Sequence, residues 1–197
     1  KGFAPNKKGE IRFGLGGLKG VGEAAIENII EERGKGGNFS NVFEFIKRVN
    51  QRTVNKKSLE SLIYSGAFDT FTEYHRAQYF AIPKGEKETG LEKIVKYGNV
   101  LQSQSASTAN TLFGNLQETL QVQAPKLAPC EPWTLTELLE YEKEVTGMFM
   151  SGHPLDHFGF ELKYYGIIPL SDINYLMGDA DAKPNTSRTY KIAGLVT

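Results

Sequence analysis

Leu18-Lys19-Gly20-Val21-Gly22, running into Glu23-Ala24-Ala25-Ile26-Glu27-Asn28-Ile29-Ile30-Glu31-Glu32-Arg33, is the stretch that decides how this chain is read. Ala25, Ile26, Ile29 and Ile30 recur at the spacing of one helical face, which predicts a helix over 23–33. Gly34, Gly36 and Gly37 are expected to end it. A Gly-apolar-Gly turn placed directly before such a helix is the signature of a helix-hairpin-helix. Gly20 and Gly22 have no Cβ, so the backbone can turn sharply there and lie close against a ligand. Val21 is expected to pack inward and anchor the turn. The first N–H groups of the following helix lack intrahelical acceptors. With the positive helix end they suit one phosphate of a nucleic-acid backbone, and Lys19 adds charge beside them. Such a contact positions a protein on DNA without reading bases. Glu23 favours the helix dipole but opposes phosphate. The competing reading is a tight turn between packed helices with no ligand.

Working outward, residues 10–18 read as a strand or extended segment. Val42, Phe43, Phe45, Ile46 and Val49 form a helical stripe over 42–49, with Asn41 and Glu44 spaced as a capping box. Leu59, Leu62 and Ile63 predict a helix over 56–64 that stops at Gly66, and a further helix is expected over 73–82, up to Pro83. Helix 56–64, the turn Ser65-Gly66-Ala67-Phe68 and helix 73–82 make a second candidate hairpin unit, with Arg52, Lys56 and Lys57 before it. Two such units would build a pseudo-symmetric domain able to grip both strands of a duplex; the alternative is that the second hairpin is only structural. Residues 84–101 are weakly helical. Gln102 to Thr111 holds no large apolar residue and reads as a flexible linker. Leu112 and Phe113 interrupt it. Pro125, Pro129 and Pro132 favour extended chain, Thr134 and Glu137 open a helix over 135–145, and 189–197 alternate as a strand does. The expected fold is mainly α: a tandem helix-hairpin-helix domain over 1–83, a helix and linker over 84–132, an α-rich connector over 133–188, and a β element opening at 189–197.

The 197 residues are 40% hydrophobic and 23% charged, enough apolar material for a core. No run approaches the length of a membrane span. Lone Cys130 cannot form an internal disulfide, and no leader pattern is visible, so a cytoplasmic setting is expected. The chain starts at Lys1 and stops at Thr197 within the strand pattern, so a piece of something larger is expected. Formal charge is zero overall, yet residues 1–60 carry 12 basic against 7 acidic side chains. A basic N-terminal third concentrates polyanions, unless it is only a solvated face. His153, Asp156 and His157 are read as a hydrogen-bonded turn, Asp179 and Asp181 as a solvated loop, and Cys130 as a spare thiol. Phe43, Phe45, Phe68 and Phe71 are assigned to the core.

Several stretches together resemble one family. They are Gly14-Leu15-Gly16 with Leu18–Glu23, Val54-Asn55-Lys56-Lys57 with Leu59–Ile63, and Ser65-Gly66-Ala67-Phe68-Asp69. Glu142–Gly147, Ser151-Gly152-His153-Pro154-Leu155 and Ala193–Thr197 continue the match. In that order they are similar to the bacterial replicative DNA polymerase III alpha subunit. The resemblance implies the region after the fingers: the tandem hairpin domain, a clamp-binding segment and the first strand of an OB-like domain. The family's polymerase carboxylates lie upstream, so this piece is expected to catalyse nothing and to carry no cofactor, while the parent polymerase would use Mg. Implied partners are duplex DNA, the sliding clamp (beta subunit) and other replicase subunits. The DNA contacts are expected at Lys19, Gly20, Val21, Gly22, Lys56, Lys57, Ser65 and Gly66. The clamp contact maps onto Ala109-Asn110-Thr111-Leu112-Phe113, with Leu112 and Phe113 filling an apolar pocket; Ala109 stands where the family usually has Gln. The alternatives are a hairpin module of a repair protein and a purely structural connector.

Overall fold

Helix starts in this chain are set by short polar caps. Asn41 Oδ1 accepts from the Glu44 N–H at 2.8 Å and opens α2 (Val42–Arg48). Asn55 Oδ1 accepts from the Ser58 N–H at 3.0 Å and opens α3 (Lys56–Tyr64). Each satisfies an amide that the first helical turn leaves without an acceptor. These two helices and α1 (Glu23–Gly36) appear where the apolar stripes place them, in a computed structural model that describes residues 2–110, 122–172 and 189–195. α1 runs past Gly34 and ends at Gly37, whose φ of 73° closes it.

The described chain is mostly helical and divides into two compact units, residues 1–150 and 151–197. In the first unit, Ala25, Ile26 and Ile29 of α1, Phe45 and Ile46 of α2, and Leu59, Leu62 and Ile63 of α3 meet in one core. Burying each of the Ile, Leu and Phe side chains stabilises the fold by about 1.5–3 kcal/mol, and Ala25 by less. Phe68 and Phe71 join this core and Phe43 packs half-buried on it, against Tyr74 and Tyr97. The segment 10–18 contributes Ile11–Arg12 to a two-residue antiparallel ladder with Ala4–Pro5. Residues 15–17 make one 3-10 turn.

Three expectations need correction. Residues 73–82 form no α-helix, only the 3-10 turn Arg76–Tyr79. Arg76 turns inward to bond Asp69 and the Tyr64 carbonyl, and Ile82 precedes Pro83, which disfavours helical backbone there. The helix expected over 84–101 is α4 (Gly90–Asn110). Its start is delayed to a reciprocal cap: the Thr89 N–H donates to Glu92 Oε2 at 2.8 Å while the Glu92 N–H donates to Thr89 Oγ1 at 3.2 Å. Residues 102–110, read as flexible linker, continue that helix. Once nucleated, a helix propagates cheaply through Gln and Ala, and Gln102 Nε2 pins it by donating to the Val49 carbonyl at 2.7 Å.

Residues 122–134 carry no helix or strand and lead to α5 (Leu135–Thr146), which opens on the expected Thr134–Glu137 box. In the second unit, the 3-10 turn Pro154–Phe158 leads into α6 (Gly159–Tyr164). Of the strand expected over 189–197, the described residues show one parallel bridge, Ile167 to Lys191. Asp179 and Asp181 lie outside the described residues.

Candidate nucleic-acid interface

The hairpin at Leu18–Gly22 is anchored by two buried apolar side chains, Leu18 and Val21, while Lys19, Gly20 and Gly22 remain exposed. Gly20 has φ +87°, and a Cβ there would sit 2.6 Å from Ser61 Oγ, so only glycine lets the turn press onto α3. Ser58 Oγ donates to the Gly20 carbonyl at 3.2 Å. Gly22 caps α1 with extended backbone, and a Cβ on it would meet nothing within 4 Å. That open side is where a ligand could approach. Two amides of the turn are consumed internally: Lys19 N–H donates to the Val145 carbonyl at 2.8 Å and Val21 N–H to Leu18 at 3.3 Å. The N–H groups of Gly20, Gly22 and Ala24 meet no backbone acceptor among the described residues.

The structure supplies a second hairpin that the sequence reading placed elsewhere. It lies between α2 and α3, at Val49–Asn55, where Asn50 accepts from the Thr53 and Val54 amides through its carbonyl and from the Arg52 amide through its side chain. The two hairpin-helix units repeat at an offset of 33 positions: Lys19-Gly20-Val21-Gly22 matches Arg52-Thr53-Val54-Asn55, and Ala25, Ile26, Glu27, Ile29 and Ile30 match Ser58, Leu59, Glu60, Leu62 and Ile63. Burial follows the repeat, since Val54, Ser58, Leu59, Leu62 and Ile63 are all buried like their counterparts in the first unit, with Ile30 packed at the core's edge. The support is reciprocal as well. Ser58 and Ser61 of α3 back the first hairpin, and Asn28 of α1, the counterpart of Ser61, accepts from the Asn50 N–H at 2.7 Å. The 33-residue repeat marks this unit in the sequence, whereas glycine does not, because Asn50 and Asn55 do the turning and capping.

Charge differs between the two. Lys19 and Arg52 hold matching exposed positions, but the second unit carries Lys56 and Lys57 where the first carries Glu23 and Ala24. Lys56 is engaged: its Nζ lies 2.8 Å from Glu92 Oε1, a bond that raises the ammonium's pKa and holds the Glu92 carboxyl down at about 2, with Thr89 bonds adding to the latter. Lys57 lines a groove of about 240 Å³ with Lys19, Gly20, Glu60, Tyr64 and Glu144. Ser65 and Gly66 sit at the far end of α3. Ser65 Oγ donates to the Leu62 carbonyl at 2.9 Å, and Gly66, at φ +77°, leaves room for the Arg76 guanidinium packed against it. This turn is backed by an ion cluster, and it is not the counterpart of the Leu18–Gly22 hairpin. Leu112 and Phe113 lie outside the described residues.

His153 Nδ1 accepts from the Leu155 N–H at 3.1 Å and Asp156 accepts from His153 at 2.6 Å, the bonds of a capped turn. His75 Nε2 donates to the Cys130 carbonyl at 3.1 Å, so a histidine invisible as a sequence neighbour does lie near Cys130. Burial pushes the Cys130 thiol up, against nucleophilic use. Among the described residues there is no group of three or more His, Cys, Asp or Glu placed to hold a metal, and no helix long and apolar enough to cross a membrane.

Residues 1–79 match the family described as Helix-hairpin-helix motif. The DNA polymerase III subunit alpha of Haemophilus influenzae is 34% identical over 171 residues, covering 87% of this chain and 14% of the relative. That of Escherichia coli K12 is 35% identical over 173 residues, with the same coverage. That of Deinococcus radiodurans is 33% identical over 188 residues, covering 95% of this chain and 13% of the relative. The chain therefore spans about one seventh of the length of the curated relatives it matches.

Proposed function

We propose that this chain, which is homologous to a segment of bacterial DNA polymerase III alpha subunits, grips the backbone of duplex DNA without reading its sequence and tethers the polymerase to the sliding clamp. The observation that carries the reading is the pair of hairpins, each with one exposed basic side chain (Lys19, Arg52), one buried valine (Val21, Val54) and a helix N-terminus behind it. Two helix N-termini presented by a pseudo-symmetric core suit two phosphates, one on each strand. Lys19, Gly20, Val21 and Gly22 serve the first contact, and Arg52, Lys57 and the first amides of α3 the second. Lys56, tied to Glu92, adds field more than direct contact, and Ser65 and Gly66 hold α3 in place. In a parent polymerase, a DNA-directed nucleotidyltransferase, this unit holds the duplex behind an active site that lies elsewhere. Leu112 and Phe113 provide the clamp contact, which needs two adjacent apolar side chains and a pocket to take them. The setting is the cytoplasmic replicase, with its other subunits as further partners.

The test is a duplex titration at several salt concentrations, with and without purified clamp. Affinity falling linearly in log salt, with no preference among sequences, is expected. Sequence-selective binding would contradict the backbone reading. Clamp binding that survives Leu112→Ala/Phe113→Ala would remove the tether.

A further inference from the structure

We infer that the buried Glu142–Arg76 pair positions the first hairpin, so that the DNA-gripping unit reaches beyond residue 79 and includes α5. The inference rests on the hairpin taking a phosphate, as proposed above. Its starting point is the Lys19 N–H, which donates to the Val145 carbonyl at 2.8 Å. That carbonyl lies in the last turn of α5, where helix geometry leaves carbonyls without intrahelical donors. The hairpin thus completes the helix, and the helix holds the middle of the hairpin.

What sets the depth and rotation of α5 at that point is Glu142, one turn earlier. Glu142 is 0% exposed and Arg76 9%. Glu142 Oε1 accepts from Arg76 Nη1 at 2.9 Å and Oε2 from the Met150 N–H at 3.0 Å. Arg76 is fixed in turn by Asp69, at 2.8 and 3.1 Å from its Nε, and by the Tyr64 carbonyl at 3.2 Å. Burial works against the guanidinium's charge, but the bonds to Asp69 and Glu142 outweigh it and raise its pKa. A buried carboxylate with this many partners has one place to sit. On the neighbouring position, Tyr141 stacks on Tyr64 at 4.6 Å and 11°. The same placement of α5 sets Glu144 in the groove beside Lys19 and Lys57, where its charge opposes a phosphate.

The experiment compares Glu142→Gln with Asp69→Asn in the full chain. Asp69 takes the Nε edge of Arg76, whereas the Nη1 that donates to Glu142 is also held by the Tyr64 carbonyl, so the Asp69 variant loosens the cluster while leaving the Arg76–Glu142 bond its own anchor. Two quantities are read: hydrogen exchange at the Lys19 amide and duplex affinity. In Glu142→Gln, Lys19 exchange is expected to rise about tenfold and affinity to fall about fivefold, the scale of one net hydrogen bond. Asp69→Asn is expected to change neither. Unchanged Lys19 exchange in folded Glu142→Gln would overturn the inference, as would equal acceleration of every core amide. Should Glu142→Gln not fold, Glu142→Asp keeps the charge but shortens its reach, and the same two outcomes decide. If the unsubstituted chain binds no duplex while Lys19 exchange still responds to Glu142→Gln, the DNA reading fails and the positioning role stands.

Discussion

Gly20 and Gly22 flank the same buried valine, yet they are required for different reasons. Gly20 holds φ +87° with Ser61 Oγ 2.6 Å from any added Cβ. Gly20→Ala is therefore expected to cost about 1–2 kcal/mol for left-handed backbone alone, read as a lowered denaturant midpoint. Gly22 has φ −73° and ψ 156°, open to every residue type, with nothing within 4 Å of its Cβ direction. Gly22→Val is expected to stay folded, losing at most about 1 kcal/mol as a poorer helix cap, while duplex affinity falls several-fold because the β-branched side chain blocks backbone approach. Full affinity in folded Gly22→Val would show that no ligand comes close there. Glu144 acts in the opposite sense. Its carboxylate shares the groove with Lys19 and Lys57, so Glu144→Gln is expected to tighten duplex binding and steepen its salt dependence.

At the scale of elements, the 33-residue repeat predicts equivalence. If each hairpin takes one phosphate, Lys19→Ala and Arg52→Ala should each lower the slope of log affinity against log salt by about one, and the double variant by about two. A slope unmoved by Arg52→Ala would leave the second hairpin as scaffold. A separate expectation concerns the joint between α3 and α4. Lys56 holds the Glu92 carboxyl at about 2, below its ordinary 4.5. A depressed acid stabilises the fold above its unfolded pKa and loses that contribution as pH falls from about 4.5 through about 2. The pair is solvent-exposed, so the loss should be small and salt-sensitive; an NMR titration midpoint for Glu92 near 4.5 would mean the contact is not held. α1, α2, α3 and α5 were legible in the sequence because each joins an apolar stripe to a turn or cap with its own signature. The Leu18–Gly22 hairpin was legible because glycine advertises it. The second hairpin was not, since Asn50 and Asn55 achieve the turn through side-chain bonds that composition does not display. Nor was the short turn at Arg76–Tyr79, which depends on partners as distant as Glu142.

At the scale of the molecule, the proposed clamp contact and the proposed DNA contact belong to one unit, which predicts that they act together. Before Leu112 and Phe113, α4 is pinned to the second hairpin through Gln102 and the Val49 carbonyl. After them, Leu127 is buried in the hairpin core against Gly90, and Gln78 Nε2 donates to the Ala128 carbonyl at 3.3 Å. Chain on both sides of the dipeptide is thus attached to the body that carries the hairpins. On the proposed reading, a clamp bound there would stay at high effective concentration relative to the duplex, which multiplies affinities rather than adding them. The chain should leave clamp-loaded DNA at least about a hundredfold more slowly than bare duplex. Leu112→Ala/Phe113→Ala should remove that difference while leaving the bare-duplex titration unchanged, and Lys19→Ala/Arg52→Ala should weaken the bare-duplex titration while leaving binding to free clamp unchanged. Weakened bare-duplex binding in the Leu112/Phe113 variant would assign the dipeptide to the DNA-binding body instead, and the two contacts would then be one.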